Sequence, residues 1–378
     1  IPHNPNISRG QKFSEYKFDG VTAVDKAYSE QRRRWEPLLE ITQIKGDSET
    51  HPILSPNDEF ASFETFDFVL MPTGERDAPT KADYARSALK TGLELEQKLG
   101  INPFQFGVIG STDSHTGISA VEESAFGGKA RHDSKIQNRS TKTGIGSSIG
   151  WDMSSGGFAA VWADENTRQG IFNAMQRKET YATTGSRIKL RFFGGWSFTD
   201  SDSKAENLAR QGYAKGVSMG GELPTAQQQN APSFLIEAIA DPFSGSLERI
   251  QIVKGWLDED GIAREKVFNV RGAHQQVPDK GGQLPDPVNS VDLKTARYDR
   301  QVGSEELRAL WTDPEFDPQQ SAFYYVRVLE IPTPRYSLYD TIALGQDPKV
   351  TNHPSTIQER AYSSPIWYHG VNPPPVGP

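Results

Sequence analysis

The sequence predicts a mixed fold, with an α/β region in the first half of the chain and an all-β region in the second half. Over roughly the first 200 residues, segments with helical spacing of apolar residues alternate with short apolar runs, which is typical of a mostly parallel sheet in a closed or distorted barrel. Later, short alternating runs are separated by Gly, Pro and Asp, as in a β-sandwich. We therefore predict a first domain over residues 1–200, a β-sandwich-like domain over 205–345, and an extended Pro-rich tail over 346–378 that packs back on the body.

Two helices in the first half are each predicted to lead into an apolar strand. Residues 22–33 form a helix whose basic end offsets the helix dipole, and the strand 38–44 follows. The next helix begins with a capping box at Thr80 and ends at Gly100, just before the strand 106–110. Both units place the carboxyl end of a strand directly before a polar loop.

The remaining elements are predicted from strand-length runs and one helical stripe. The strand 158–162 is followed by a helix that is capped near Asn166 or Thr167 and ends at Lys178. Asp260 and Gly261 match a hairpin turn, and residues 361–367 should return as a strand against the body. The other predicted strands are residues 233–240, 249–253, 266–270 and 323–329.

The most informative motif is an Asp-x-His that follows the strand 106–110. Residues two apart in an extended segment project to the same side, so Asp113 and His115 can converge on one divalent ion. The carboxyl end of a strand is also where α/β barrels assemble their active sites. The alternative is that Asp113 caps a turn while His115 is solvated beside it.

Further candidate metal ligands lie near the starts of other loops. His3 follows an apolar start, and Glu49 and His51 come after the strand 38–44. With Asp113 and His115, they form the predicted ligand set. The alternatives are a loop histidine bonded to backbone for His3 and a polar turn for Glu49 and His51. The other histidines, expected to be structural or solvated, are His132, His274, His353 and His369.

Asp113, Lys45 and Arg187 are the candidate catalytic residues. Lys45 comes directly after a strand, where its ammonium group could meet a phosphate or sulfate oxygen. Arg187 follows a loop of small residues, and its guanidinium group could bind an oxyanion bidentately. A solvated lysine and a surface salt bridge are the alternatives.

Composition excludes several classes of function. The net charge of −8 over 378 residues lacks the basic face that a nucleic-acid partner requires. No apolar stretch approaches the roughly 20 residues of a membrane span. The chain has no cysteine, which removes thiol catalysis and thiolate metal sites and fits a periplasmic or secreted protein.

Five segments together resemble one bacterial family: His3 with Asn4, residues 46–49, residues 110–117, residues 177–187 and residues 359–368. The family is DUF3604, a domain of unknown function, and it is similar to the polymerase and histidinol phosphatase (PHP) superfamily of metal-dependent phosphoesterases. The resemblance implies a distorted (βα)7-type barrel with a multinuclear metal site. In that site, Asp113 and His115 match the last ligand motif and His3 an earlier one, so we expect these three side chains to meet around one ion.

The resemblance also implies two ligands that this sequence lacks. Such domains begin with a strand carrying His-x-His, a motif that occurs nowhere in this sequence. Because the chain starts at Ile1, we interpret it as a fragment or a processed chain that lacks its N-terminal segment. Either that segment completes the site as a separate piece, or this chain by itself holds an incomplete half-site without metal. We expect the chain alone to bind metal weakly and to hydrolyse esters slowly, and restoration of that segment to recover both properties.

Two classes of function follow. The first is a hydrolase that cleaves a small-molecule phosphate-type or sulfate-type ester with divalent Zn, Mn or Fe ions, which lower the pKa of water and bind the anion. The second is a non-catalytic binding or assembly protein, in which the β-sandwich recognises a glycan or a partner and the metal site is incomplete.

Overall fold

The computed structural model describes residues 1–68, 78–141, 148–225 and 230–371. The helices are α1 (Lys26–Trp35), α2 (Ala85–Leu99), α3 (Ile136–Arg139), α4 (Arg168–Gln176), α5 (Asp200–Ser203), α6 (Leu208–Lys215) and α7 (Tyr336–Ala343). The first eight strands are β1 (Leu38–Gln43), β2 (Gly46–Asp47), β3 (Gly107–Gly110), β4 (Phe158–Val161), β5 (Thr180–Thr183), β6 (Lys189–Gly195), β7 (Gly216–Ser218) and β8 (Ser233–Ile239). The others are β9 (Leu247–Leu257), β10 (Ala263–Gly272), β11 (Glu306–Thr312), β12 (Ala322–Glu330), β13 (Thr333–Pro334), β14 (Thr356–Ile357), β15 (Arg360–Ser363) and β16 (Ile366–Tyr368).

A small sheet with the order β2-β1-β3 contains the parallel pair that positions the candidate site. β1 and β3 run parallel, with Leu38 opposite Gly107, and α2 lies between them in the chain. The predicted capping box at Thr80 is present before α2, and Gly100 ends that helix in the left-handed conformation that glycine favours. The prediction of a helix-and-strand unit here is therefore confirmed.

A large sheet has the order β10-β9-β12-β15-β5-β4, with β16 beside β12, and its neighbouring strands are antiparallel. The parallel arrangement that we predicted across α4 was wrong. Val161 at the end of β4 pairs with Thr180 at the start of β5, so α4 lies beyond the strand ends like an enlarged hairpin loop. Across the four described ranges the fold is mixed α/β with several sheets, and no closed barrel is formed.

A four-stranded sheet, β11-β8-β6-β7, packs face to face on the large sheet. Phe192, Phe234 and Ile236 from the smaller sheet share one core with Ile252 and Val326 from the larger sheet, and all five are fully buried. This is the layered packing of a β-sandwich. The predicted strands in the second half are confirmed as β8, β9, β10 and β12, while β11 was not predicted.

The two sheets do not separate at the boundary predicted near residue 200. β4 and β5 precede that boundary, yet they belong to the same sheet as β9 and β12. The predicted strand at residues 361–367 is confirmed by β15 and β16, whose residues are buried. The Pro-rich end of the predicted tail, residues 372–378, lies outside the described residues. None of the described helices is long and apolar enough to cross a membrane.

Candidate functional site

The candidate site lies at the carboxyl ends of the parallel strands β1 and β3. Lys45 stands in the tight turn between β1 and β2, next to Gly46, whose φ of 89° requires glycine. Asp113 follows β3 with a φ of 50°, a left-handed conformation that Asp tolerates better than most residues. Because the two strand ends share one edge of the sheet, both side chains reach the same place.

Four side chains contact the Asp113 carboxylate. Its Oδ2 accepts hydrogen bonds from Nζ of Lys45 and, at 2.8 Å, from Nζ of Lys129. Nε2 of Gln43 donates to the same oxygen at 3.0 Å. Nε2 of His115 lies 3.3 Å from the other oxygen, Oδ1. The arrangement therefore joins one carboxylate to two ammonium groups and an imidazole.

Exposure differs sharply among these groups. The side chains of Lys45 and Lys129 are 6% and 1% exposed, whereas that of His115 is 64% exposed. Burial and the neighbouring Lys129 lower the pKa of Lys45, but the Asp113 carboxylate in contact with it favours the charged form. Burial likewise lowers the pKa of Lys129 to about 8, and its contact with the same carboxylate favours the ammonium form. The ammonium of Lys129 first, and then burial and Lys45, lower the pKa of His115, which favours its neutral form.

The other predicted metal ligands lie elsewhere. His3 is exposed, although the adjacent Asn4 accepts a hydrogen bond from Gln43 in the site. Glu49 is 2% exposed and belongs to a buried ion cluster. The ring of His51 packs against Tyr84, with 5.7 Å between ring centroids. In the described ranges of the chain, no three His, Asp or Glu side chains are arranged to hold a metal ion, so the expected meeting of His3 with Asp113 and His115 is not seen there.

We tested whether the residues at Asp113 suit the multinuclear metal centre expected from the sequence. Asp113 and His115 offer a carboxylate and an imidazole, which are suitable ligands for one divalent ion. Two or three ions need several such groups, and here the carboxylate is already neutralised by Lys45 and Lys129. The described side chains therefore do not fit a multinuclear centre.

Arg187, the remaining candidate, does not contact Asp113. Its Nη1 lies 3.1 Å from Oε1 of Glu122, and its guanidinium stands over the ring of Phe158 at 5.0 Å. Its backbone N–H donates to Asp241 at 2.7 Å. Arg187 lines a cavity whose lining residues do not include Lys45 or Asp113.

The residues of this site fall within a single family match. A family model described as "Protein of unknown function (DUF3604)" matches residues 1–370. The chain belongs to the DUF3604 family. No curated protein and no solved structure matches it.

Sequence reasoning missed three residues of this DUF3604 site. Lys129 arrives from a loop that carries two glycines, and Gly128 with a φ of 83° allows the close approach of Asp133. Gln43 and Glu40 come from β1 itself, and Glu40 accepts a hydrogen bond from the Ser111 hydroxyl beside the site. The only signal for Lys129 was its position after Gly-Gly, whereas Gln43 and Glu40 were visible as polar residues within a predicted strand.

Proposed function

We propose that this DUF3604 protein hydrolyses a small-molecule ester that carries a phosphate-type or sulfate-type anion. The observation that carries the proposal is the contact of two enclosed ammonium groups, Lys45 and Lys129, with the carboxylate of the Asp113–His115 pair. Ammonium groups that the fold already holds in position stabilise negative charge on a transferring phosphoryl or sulfuryl group. The predicted similarity to PHP phosphoesterases supports the same class of reaction.

In this mechanism the anionic group of the substrate binds to Lys45 and Lys129 in place of one or more of their contacts with Asp113. His115, which is open to solvent, accepts a proton from a water molecule whose oxygen bonds to phosphorus or sulfur. Asp113 orients the imidazole and stabilises its protonated form. The bond to the ester oxygen breaks, and the proton on His115 passes to that leaving oxygen, so the imidazole returns to its neutral form.

The test of this proposal also covers the divalent Zn, Mn or Fe ions that were expected from the sequence. A single ion could take Asp113 and His115 as two ligands only if the ammonium groups moved away from the carboxylate. Metal binding and hydrolysis should therefore be measured separately. Metal content is determined by elemental analysis, and turnover is measured both with a chelator and with each added ion.

The experiment measures turnover of nitrophenyl phosphate monoester, nitrophenyl phosphodiester and nitrophenyl sulfate. We expect Lys129→Gln to lower kcat/KM by at least about tenfold, because it removes a charged contact to the anion. His115→Gln should lower kcat by about 100-fold or more, because it removes the general base. Lys81→Gln, which removes an exposed lysine paired with Glu15, should leave turnover unchanged.

A second candidate function is anion binding without catalysis. It is favoured by the contacts of Lys45 and Lys129 with Asp113, because they leave this carboxylate less able to bind a metal ion. It predicts that inorganic phosphate or sulfate binds to the wild-type protein and more weakly to Lys129→Gln, with no turnover under any metal condition. That result would replace the hydrolase. Turnover that is unaffected by Lys129→Gln and His115→Gln would exclude this site as the catalytic centre.

A further inference from the structure

A cavity of about 670 Å³ lies beside the start of β15. Most of its lining comes from four loops that are distant in the chain, namely those after β2, before β4, after β10 and before β15. Its lining residues do not include Lys45, Lys129 or Asp113 of the proposed hydrolase site. The volume is within the range of ordinary small-molecule sites.

Arg360, the first residue of β15, lines this cavity with a buried side chain. It is 3% exposed, and its guanidinium group lies over the ring of Phe63 at 3.7 Å. Nη1 donates to the backbone oxygen of Phe60 at 3.0 Å, and Nε donates to that of Gln358 at 3.3 Å. These contacts fix the position of the guanidinium group, but none of the partners carries a negative charge.

No carboxylate of the described chain forms an ion pair with Arg360. In residues 1–68, 78–141, 148–225 and 230–371, every Asp and Glu side chain lies beyond ion-pair distance of its guanidinium group. Asp47 interacts with Arg360 only from that longer distance, and burial first, then the charge of Glu49, raise the pKa of Asp47 to about 7. Asp47 is therefore not fully ionised at neutral pH. A buried charge without a partner is costly, so a counter-ion from outside the chain is expected here.

One nitrogen of this guanidinium group is available to a ligand. Nη2 of Arg360 donates no hydrogen bond within the described ranges, whereas Nε and Nη1 both do. Nη2 also keeps contact with solvent, and the cavity is the space that Arg360 lines. Guanidinium groups form strong, charge-assisted hydrogen bonds to carboxylate and phosphate oxygens. Arg360 therefore points to an anionic ligand.

The other charges of the cavity favour a ligand with a single negative charge. Three lining carboxylates each contact a basic side chain: Glu59 contacts Arg249 at 3.0 Å, Glu64 contacts Arg335 at 2.8 Å, and Asp152 contacts His353 at 3.0 Å. The carboxylate of Asp67 lines the cavity as well. These groups would repel a phosphate dianion more strongly than a carboxylate. A carboxylate is therefore the better partner for Arg360.

The neutral polar groups of the lining suit the hydroxyl groups of a ligand. Thr65, Asn289 and Asn352 line the cavity and are exposed. An amide group offers both donors and an acceptor, and the lining carboxylates accept hydrogen bonds from hydroxyl groups. A carbon skeleton that carries several hydroxyl groups therefore matches this part of the cavity.

We propose that this cavity binds a small monocarboxylate that carries hydroxyl groups, as a sugar acid does. The carboxylate of the ligand accepts hydrogen bonds from Nη2 of Arg360, and its hydroxyl groups bond to Asn289, Asn352 and the lining carboxylates. A neutral sugar would leave the guanidinium group without a counter-ion, and a metal cation would be repelled by it.

The test uses glucuronate as the probe, glucose as its neutral counterpart, and acetate as a carboxylate without hydroxyl groups. At about pH 7 the carboxyl group of glucuronate is ionised. We expect glucuronate to bind to the whole chain in calorimetry and to raise its Tm. Glucose and acetate should each bind at least about tenfold more weakly, because each lacks one part of the match.

Two variants test whether the probe binds in this cavity. Arg360→Gln removes the charged donor and should weaken glucuronate binding by at least about tenfold. Asn352→Glu places a negative charge on an exposed lining residue and should also weaken binding by at least about tenfold. The control is Asn173→Glu, which adds the same charge to an exposed residue of α4 outside the lining and should leave the affinity unchanged.

Asp113→Asn separates this proposal from the hydrolase site, since it should still bind glucuronate with wild-type affinity. Should Arg360→Gln fail to fold, as circular dichroism would show, Asn352→Glu decides the question. The proposal would be overturned by equal binding of glucuronate and either control compound, by no binding of glucuronate, or by wild-type affinity in a folded Arg360→Gln or Asn352→Glu variant. Loss of binding in Asp113→Asn would place the probe at the hydrolase site and would overturn it as well.

Discussion

Glu49, which the sequence predicted as a metal ligand, is a buried carboxylate that forms ion pairs within the fold. Nε of Arg86 donates to it at 3.0 Å, Nη1 of Arg327 lies 3.2 Å away, and the hydroxyl of Tyr325 also donates to it. Arg86 and Arg327 have fully buried side chains, and both also contact Asp58. These ion pairs connect the turn after β2 and α2 to the large sheet through β12.

We predict that Glu49→Ala lowers the free energy of unfolding by about 3–5 kcal/mol, because it leaves buried guanidinium charge without one of its partners. Urea denaturation followed by circular dichroism measures this change. The control is Glu315→Ala, since Glu315 and Lys266 are 46% and 47% exposed in their ion pair, and its loss should cost less than about 1 kcal/mol. Equal losses in the two variants would show that the Glu49 cluster adds no stability beyond a surface pair.

At the scale of elements, His369 joins three parts of the fold just after β16. Its Nδ1 lies 3.4 Å from Glu96 of α2, and its Nε2 lies 3.6 Å from Glu222. Glu222 also contacts Arg33 of α1 at 3.3 Å and accepts from Gln105 at 2.7 Å. The contact with Glu222, above all, raises the pKa of His369, and His369 in turn lowers that of Glu222 to about 2.

This cluster should make stability depend on pH in a defined direction. The raised pKa of His369 means that its contribution is fully present below its ordinary pKa of 6.5 and is lost as the pH rises through the folded value. The lowered pKa of Glu222 means that its contribution is present above the ordinary value of 4.5 and is lost as the pH falls toward about 2. The cluster therefore stabilises the fold most between these two ordinary values.

We predict that the wild-type protein loses more stability than His369→Gln when the pH is raised from about 6 to about 8. The difference between the two proteins isolates His369 from the neighbouring Glu96, whose pKa burial raises. Urea midpoints at both pH values measure it. An identical pH dependence in both proteins would mean that folding does not raise the pKa of His369.

In the whole molecule, the large sheet and the four-stranded sheet each contain strands from before and after the boundary predicted near residue 200. β5 pairs with β15, and β6 pairs with β8, so strands from the first 200 residues need partners from the later chain. A fragment that ends at residue 204 would expose these strand edges and the apolar face that β6 buries in the sandwich core. The two halves should therefore not fold independently.

We predict that the fragment 1–204 is insoluble or lacks a cooperative unfolding transition. A chain that ends at residue 371 retains every described strand and should unfold cooperatively like the full chain. Thermal denaturation and the dispersion of amide signals in NMR spectra measure this difference. A soluble fragment 1–204 with a sharp transition would restore the division into two domains.

The sequence by itself determined the local features of this protein. The capping box at Thr80, the end of α2 at Gly100 and the strand that leads to Asp113 follow from residues within a few positions of one another. Lys45 and Asp113 were also placed at the ends of two apolar strands, and the parallel pairing of β1 and β3 brings them into contact. Local hydrogen bonds and apolar spacing act over short distances in the chain, so these features were readable.

Only the tertiary structure decided which distant groups meet. Lys129 approaches Asp113 from a loop 16 positions away, and Arg327 reaches Glu49 across 278 positions. The place of β4 and β5 in the large sheet likewise depends on the pairing of β5 with β15, about 180 positions later in the chain. Apolar periodicity specifies that a strand or helix face is buried, but not against which partner, because burial gains nearly the same free energy with any close-packed apolar surface.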